Sequence, residues 1–248
     1  MIIRDISNNE IIKSLDDWKI DFFSSTKKKH WVKGRSAYEC ASYWLNENKV
    51  KELESLLHSK IEFTSFSEAY PECELKFDNY YHPRENDLLI TTNDDKTIIS
   101  VEAKTDEPFS NENYIDAFET ALKAKKKNIN SMQIERLLEI YTNYFCGNNE
   151  ILNLRHQLAY WFSGSIAEGT RRNCKNLVFL NQVFISHKLN KTKLERNQKD
   201  FEFFAYLISN HEIKEIQRNV LYGPINNEYT KGLNVYILKQ VINIEDEQ

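Results

Sequence analysis

Two apolar runs separated by one polar turn decide the reading of this chain: Asn86-Asp87-Leu88-Leu89-Ile90 and Ile98-Ile99-Ser100-Val101-Glu102-Ala103-Lys104. Side chains alternate along a strand, so Glu102 and Lys104 point to one face and Val101 and Ala103 to the other. Between the runs, Asn93-Asp94-Asp95-Lys96 has the composition of a tight turn. A hairpin closed there carries Asp87 alongside Glu102. Two carboxylates and one lysine then converge.

Such a trio suits hydrolysis of a phosphodiester. The carboxylates of Asp87 and Glu102 are suited to Mg²⁺ or Mn²⁺, hard cations that take oxygen ligands at roughly 2.1 Å and keep several waters. The cation polarises a phosphoryl oxygen and acidifies a bound water, while Lys104 orients that water or offsets charge developing on the phosphate. The same letters also describe a solvated hairpin face with an ordinary Glu/Lys pair. On the first reading, Glu102→Gln lowers metal affinity and activity and leaves the fold nearly intact, because the group it alters is polar and near the surface.

The set Asn86-Asp87 … Glu102-Ala103-Lys104 resembles the core motif of the PD-(D/E)XK nuclease superfamily, the restriction-endonuclease-like fold. By that resemblance Asp87 matches the motif aspartate, Glu102 the acid that follows it and Lys104 the motif lysine. Asn86 stands where the motif has proline. Gly34-Arg35-Ser36-Ala37-Tyr38-Glu39 and Glu102-Ala103-Lys104-Thr105-Asp106-Glu107-Pro108-Phe109 are also similar to a family of uncharacterised bacterial proteins within that superfamily. The match spans about residues 30 to 185.

The resemblance implies further site residues. Members often carry a glutamate on the first helix that reaches the metal or its waters. Glu39 is the candidate here, at the border of a face made by Ala37, Cys40, Ala41, Trp44 and Leu45; the alternative is a solvated helix glutamate. Glu68 is a second candidate for a third acid, from a neighbouring strand. The backbone carbonyl of Ala103 is implied as another metal ligand. Gln157 and Tyr160 are three apart on one helix face and resemble a Gln-x-x-x-Tyr helix motif one residue short. Gln157 is thereby expected to bond a nucleotide or the hairpin backbone, and Tyr160 to serve the site or the core. Arg155 and His156 are read as phosphate contacts or as a surface arginine and a packed histidine.

The rest of the chain bounds the answer. At 248 residues, 41% hydrophobic and 28% charged, it can bury a full core as one domain, with 1–30 and 186–248 read as peripheral elaborations. No run approaches 18 consecutive apolar residues, and the start Met-Ile-Ile-Arg-Asp-Ile lacks the pattern of a leader, so a cytoplasmic protein with no membrane partner is expected. Cys40, Cys73, Cys146 and Cys174 have no Cys-x-x-Cys spacing and read as reduced packing residues. The histidines form no zinc pattern.

Apolar periodicity predicts helices at about 9–22, 35–47, 50–58, 112–127, 131–145, 153–169 and 194–209. Strands are predicted near 61–70, 74–78, 87–92, 97–103, 176–185 and 233–242. Together they give an α/β protein, a mixed β-sheet flanked by helices around a restriction-endonuclease-like core.

A formal net charge of −4 argues against nonspecific coating of duplex DNA, since phosphate contacts rest on lysine and arginine. Local basic clusters remain at Lys27-Lys28-Lys29 with His30, at Lys123 to Lys127, at Arg171-Arg172 with Lys175, and at Lys188, Lys191 and Lys193. The last two sets flank the 176–185 strand and are candidates for a substrate cleft or for ordinary helix ends.

Three functions compete. One is a Mg²⁺-dependent nuclease, acting on DNA ahead of RNA, in defence or repair. Another is a catalytically silent module of that fold binding nucleic acid or a protein partner. The third is a hydrolase of a different phosphate ester. A homodimer would let two sites cut both strands.

Overall fold

The turn at 93–96 closes the hairpin. Asp95 N donates to Thr92 O at 3.0 Å, Asp95 itself is left-handed (φ 55°), and Asp94 Oδ1 accepts from Thr92 Oγ1 at 2.6 Å and from Lys96 N at 3.2 Å. Aspartate tolerates that conformation because its short side chain bonds the local backbone.

The computed structural model describes residues 1–23, 31–80, 83–186 and 189–244. β1 (Ile2–Ile3) and α1 (Leu15–Phe23) precede α2 (Ser36–Trp44) and α3 (Glu47–Leu57). Strands β2 (Phe66–Leu75), β3 (Arg84–Thr92) and β4 (Thr97–Lys104) follow. Then come α4 (Tyr114–Lys127), α5 (Gln133–Glu139), α6 (His156–Arg171), β5 (Asn176–Ile185), α7 (Lys191–Ile208), β6 (Leu221–Ile225) and β7 (Asn234–Asn243). The strands form one seven-stranded mixed sheet in the order β1-β2-β3-β4-β5-β7-β6. β3 is antiparallel to β2 and β4, whereas β4, β5 and β7 run parallel. The expected α/β architecture is present: a mixed sheet flanked by helices. No helix among the described residues is long and apolar enough to cross a membrane.

β4 lies at the centre, and all eight of its residues are buried. Ile99, Val101 and Ala103 face a core built with α1, α2 and α3, including Trp18, Trp44 and Leu53. Ile98 faces the opposite core, which Trp161, Phe162, Phe201 and Phe204 fill from α6 and α7. Alternation along β4 puts Ser100, Glu102 and Lys104 on that second face. There Ser100 Oγ accepts from Trp161 Nε1 at 2.7 Å and meets Ser165 Oγ at 2.7 Å.

Several boundaries depart from expectation, and one matters for function. The strands expected at 61–70 and 74–78 are a single strand, β2, that runs through Pro71. Pro71 has no N–H to give a ladder. β1 ends at Ile3 opposite Ala69, so beyond that point β2 is an edge strand, where a missing donor is tolerated. The helix expected at 131–145 is α-helical only to Glu139, then makes a π turn over Ile140–Tyr144 and stops at left-handed Cys146 and Gly147. α1 begins at Leu15, with Ser14 Oγ accepting from Asp17 N at 3.1 Å.

The 186–248 segment, expected as a peripheral elaboration, supplies β7, which pairs with β5 over ten residues inside the sheet. It also supplies α7, whose Phe201 and Phe204 fill one core. Cys40 and Cys73 are buried as expected of packing residues, but Cys146 is exposed and Cys174 half-buried.

Candidate active site

The register Leu88↔Val101 is the last regular rung of the β3–β4 pair. Beyond it the ladder is replaced by a side chain: Asp87 Oδ2 accepts the N–H of Ala103 at 2.6 Å. One residue on, Glu102 Oε1 accepts from Lys104 Nζ at 2.9 Å and from Gln157 Nε2. Lys104 Nζ also lies 5.3 Å from the Phe109 ring centroid, over its face. Four of the expected residues, Asp87, Glu102, Lys104 and Gln157, therefore meet at one point, together with the main chain of Ala103.

Burial is deeper than a solvated hairpin face would allow. Glu102 is 2% exposed and Lys104 7%. A carboxylate removed from water is held by charge-assisted bonds, which here come from Lys104 and Gln157. Burial first, then the charge of Glu102 and less strongly that of Glu72, push the Asp87 carboxyl above the ordinary carboxylate range; Lys104 and the Ala103 N–H pull the other way.

Glu72 was not a sequence candidate. The pairs Pro71↔Leu88 and Cys73↔Asn86 bracket it, so the register sets it across from Asp87 on β2. Glu72 is left-handed (φ 47°), an uncommon conformation for a non-glycine residue. Reading the strand as broken at Pro71 hid it. The opposite outcome holds for Glu68, four residues away on the same strand. It is bound by Tyr70 Oη and lies 3.4 Å from Arg4, so the structure does not bring it to Asp87 and Glu102.

Glu39 is buried in α2, and its Oε1 accepts from Gly34 N at 2.8 Å. Among the described residues it makes no hydrogen bond to the hairpin. Its neighbour Cys40 is buried in the α2 core, and burial, then the charges of Asp87, Glu72 and Glu102, push its thiol well up. The start of α2 is fastened to the segment after β4 by Arg35 Nη1 to Asp106 Oδ1 at 2.9 Å and by Ser36 Oγ to Glu107 Oε1 at 2.6 Å. Glu107 Oε2 in turn accepts from Thr105 N and Oγ1, each at 2.6 Å.

On α6, Tyr160 packs edge-on against Phe77 and His156. The residue four after Gln157 is Trp161, whose indole reaches Ser100. Arg155 Nε donates to both oxygens of Asp200 at 3.0 Å, an ion pair between the start of α6 and α7. His156 Nδ1 lies 3.3 Å from Glu112 O.

Arg171 and Arg172 both bond Glu168 and line a cleft of about 710 Å³ that also contains Glu72 and Lys76. Lys193 lies 3.7 Å from Asp106 and Lys125 2.7 Å from Glu135. The cluster at Lys27-Lys28-Lys29 with His30, and Lys188, lie outside the described residues.

A model of a family described as a domain of unknown function (DUF6946) matches residues 11–242. The chain belongs to this family. No curated protein and no solved structure matches it. The family match runs from before α1 into β7 and so contains every residue of the hairpin site, as well as α7 and β6.

Among the described residues, no group of three or more His, Cys, Asp or Glu side chains is gathered closely enough to hold a metal ion. Mg²⁺ asks for less: one or two protein carboxylates, with waters and substrate phosphate completing its octahedron. Asp87 and Glu102 offer hard oxygen donors in a place where the charge of Glu102 opposes ionisation of Asp87, and a divalent cation offsets that repulsion. The donor set fits such an ion.

Proposed function

We propose that this chain is a Mg²⁺-dependent phosphodiester hydrolase with a restriction-endonuclease-like core, acting on DNA. The observation that carries the reading is the meeting of Asp87, Glu102, Lys104 and Gln157 where β3 and β4 part. Support also comes from the mixed sheet, in which an antiparallel pair bearing these residues is continued by parallel β5 and flanked by helices on both faces.

Asp87 and Glu102 would hold the cation, with the Ala103 carbonyl beside them. When bound, Mg²⁺ supplies Lewis acidity and a water acidified toward hydroxide. Lys104 places a positive charge beside the carboxylates, where it offsets charge building on the phosphate. Gln157 fixes the orientation of Glu102 by donating to Oε1, and Asp87 is fixed by the Ala103 N–H.

The test is incubation of the purified protein with supercoiled, linear and single-stranded DNA and with RNA, in Mg²⁺ or Mn²⁺ against EDTA, beside Lys104→Ala. Metal-dependent cleavage of DNA that the variant lacks is the expected result. Equal cleavage by the variant sinks the assignment, and preference for RNA corrects the substrate.

A second reading, a catalytically silent module of this fold, is favoured by one observation. Glu102 and Lys104 are buried and form an ion pair with each other, so each charge has an opposite charge beside it without a ligand. Binding of Mn²⁺ by calorimetry separates the two, because a silent site closed by this pair has no call on the ion.

A further inference from the structure

On the face of β5 and β7 that α7 covers, a cleft of about 660 Å³ opens, within the range of small-molecule sites. Val183, Ile185, Leu194 and Val241 give it apolar walls. Lys239 lines it and is only 6% exposed. A buried ammonium ordinarily sits against a carboxylate. Among the described residues the Lys239 ammonium is in no ion pair, and its hydrogen bond goes to Gln198 Oε1.

Gln198 is held for that contact. Its Nε2 donates to Glu202 Oε1 at 2.7 Å and to Ile216 O at 3.0 Å, so its carbonyl oxygen must face Lys239. Glu202 is further satisfied by Ile216 N at 3.3 Å. A second cation, Arg218, shares the cleft and makes no ion pair among the described residues. The charged lining is Lys239, Arg218 and Lys199 against Glu195 and Glu202, an excess of one positive charge. Burial, then the charge of Arg218, lower the Lys239 ammonium to about 8, against the pull of Glu202. An anion at this place supplies the opposite charge that counters both effects.

The geometry points to a binding site for a small amphipathic carboxylate, its head group on Lys239 Nζ and Arg218 and its apolar body against Val183, Ile185, Leu194 and Val241. The single positive excess and the hydrocarbon walls match a monoanion with a tail better than a phosphate dianion. The site is separate from the hairpin: Arg196 and Asn197, on another side of α7, bond Ser110 O and Glu107 O. The inference stands whether or not the chain cuts DNA.

Hexanoate and inorganic phosphate are the probes, added to the full chain while its melting temperature is followed. Hexanoate at ten times its Kd raises Tm by about 3–6 °C. Lys239→Met, which keeps the volume and removes the charge, loses at least tenfold in affinity. Leu194→Glu, which sets a carboxylate at the wall, does the same if the first variant fails to fold. No shift with hexanoate overturns the site, as does a shift of equal size in both variants. A shift with phosphate that matches or exceeds that of hexanoate overturns the amphipathic ligand.

Discussion

Asp87 and Ala103 are joined by a carboxylate-to-amide hydrogen bond of 2.6 Å, which takes the place of a ladder bond where β3 and β4 part. The second oxygen of Asp87 makes no hydrogen bond among the described residues. The chain therefore spends one oxygen of this carboxylate on holding the strands, and the charges of Glu102 and Glu72 oppose its ionisation.

That arrangement makes Asp87 a cost to the metal-free fold. A carboxyl held above its ordinary range contributes stability that is complete below the unfolded value near 3.8 and is lost as pH rises through the folded value. Asp87→Asn keeps an oxygen for the Ala103 N–H and removes the charge. Urea melts across pH 5 to pH 9 are expected to show the variant more stable by about 1–2 kcal/mol at the upper end, with the gap closing as pH falls. Mn²⁺ should stabilise the parent and not the variant. A gap that widens toward acid contradicts the assignment.

Glu102→Gln is not the mild change its sequence position implies. The carboxylate is buried against Lys104, and replacing it removes one charge of an ion pair that is out of water. A loss of about 1–3 kcal/mol is expected in chemical denaturation. Adding Lys104→Met should recover most of it, giving a coupling visible in a double-mutant cycle. Strict additivity would mean that the pair does not interact.

Gln157 touches Glu102 and stands at the half-buried start of α6. Gln157→Leu should fold normally and lower Mn²⁺ affinity or cleavage by about 10–100-fold, the usual effect of losing an orienting partner. Thermal melting checks the first half and calorimetry the second.

Glu72 and Glu68 lie four residues apart on β2 and are expected to differ sharply. Glu72→Gln removes a charge that acts on Asp87 and should shift both Mn²⁺ affinity and the pH at which the ion binds. Glu68→Gln, which perturbs only its contacts with Arg4 and Tyr70, should leave both unchanged. Equal effects would place the two carboxylates wrongly.

Much of the site was legible because it is local in sequence. The turn at Asn93-Asp94-Asp95-Lys96 sets the register of two neighbouring strands, and period-two alternation then dictates that Glu102 and Lys104 share a face. The α/β class followed from apolar periodicity in the same way. Gln157 could be named only from its likeness to a helix motif, since nothing in a 3.6-residue period says which strand a helix will cross.

What stayed hidden depends on contacts between distant segments. Pro71 reads as the end of a strand, and only the early end of β1 opposite Ala69 leaves an edge on which β2 can run through it. Glu72 reaches Asp87 by that continuation. Burial of the Glu102–Lys104 pair likewise required α6 and the segment carrying Phe109 to close over one face of β4. The Lys239 cleft required β7, whose Lys239 lies 137 residues after Glu102 in the chain, to enter the sheet beside β5. Alternation along a strand is a property of the backbone, and the sequence by itself determined which residues could share a face. Desolvation and charge balance belong to whatever packs against that face, and only the tertiary structure decided them.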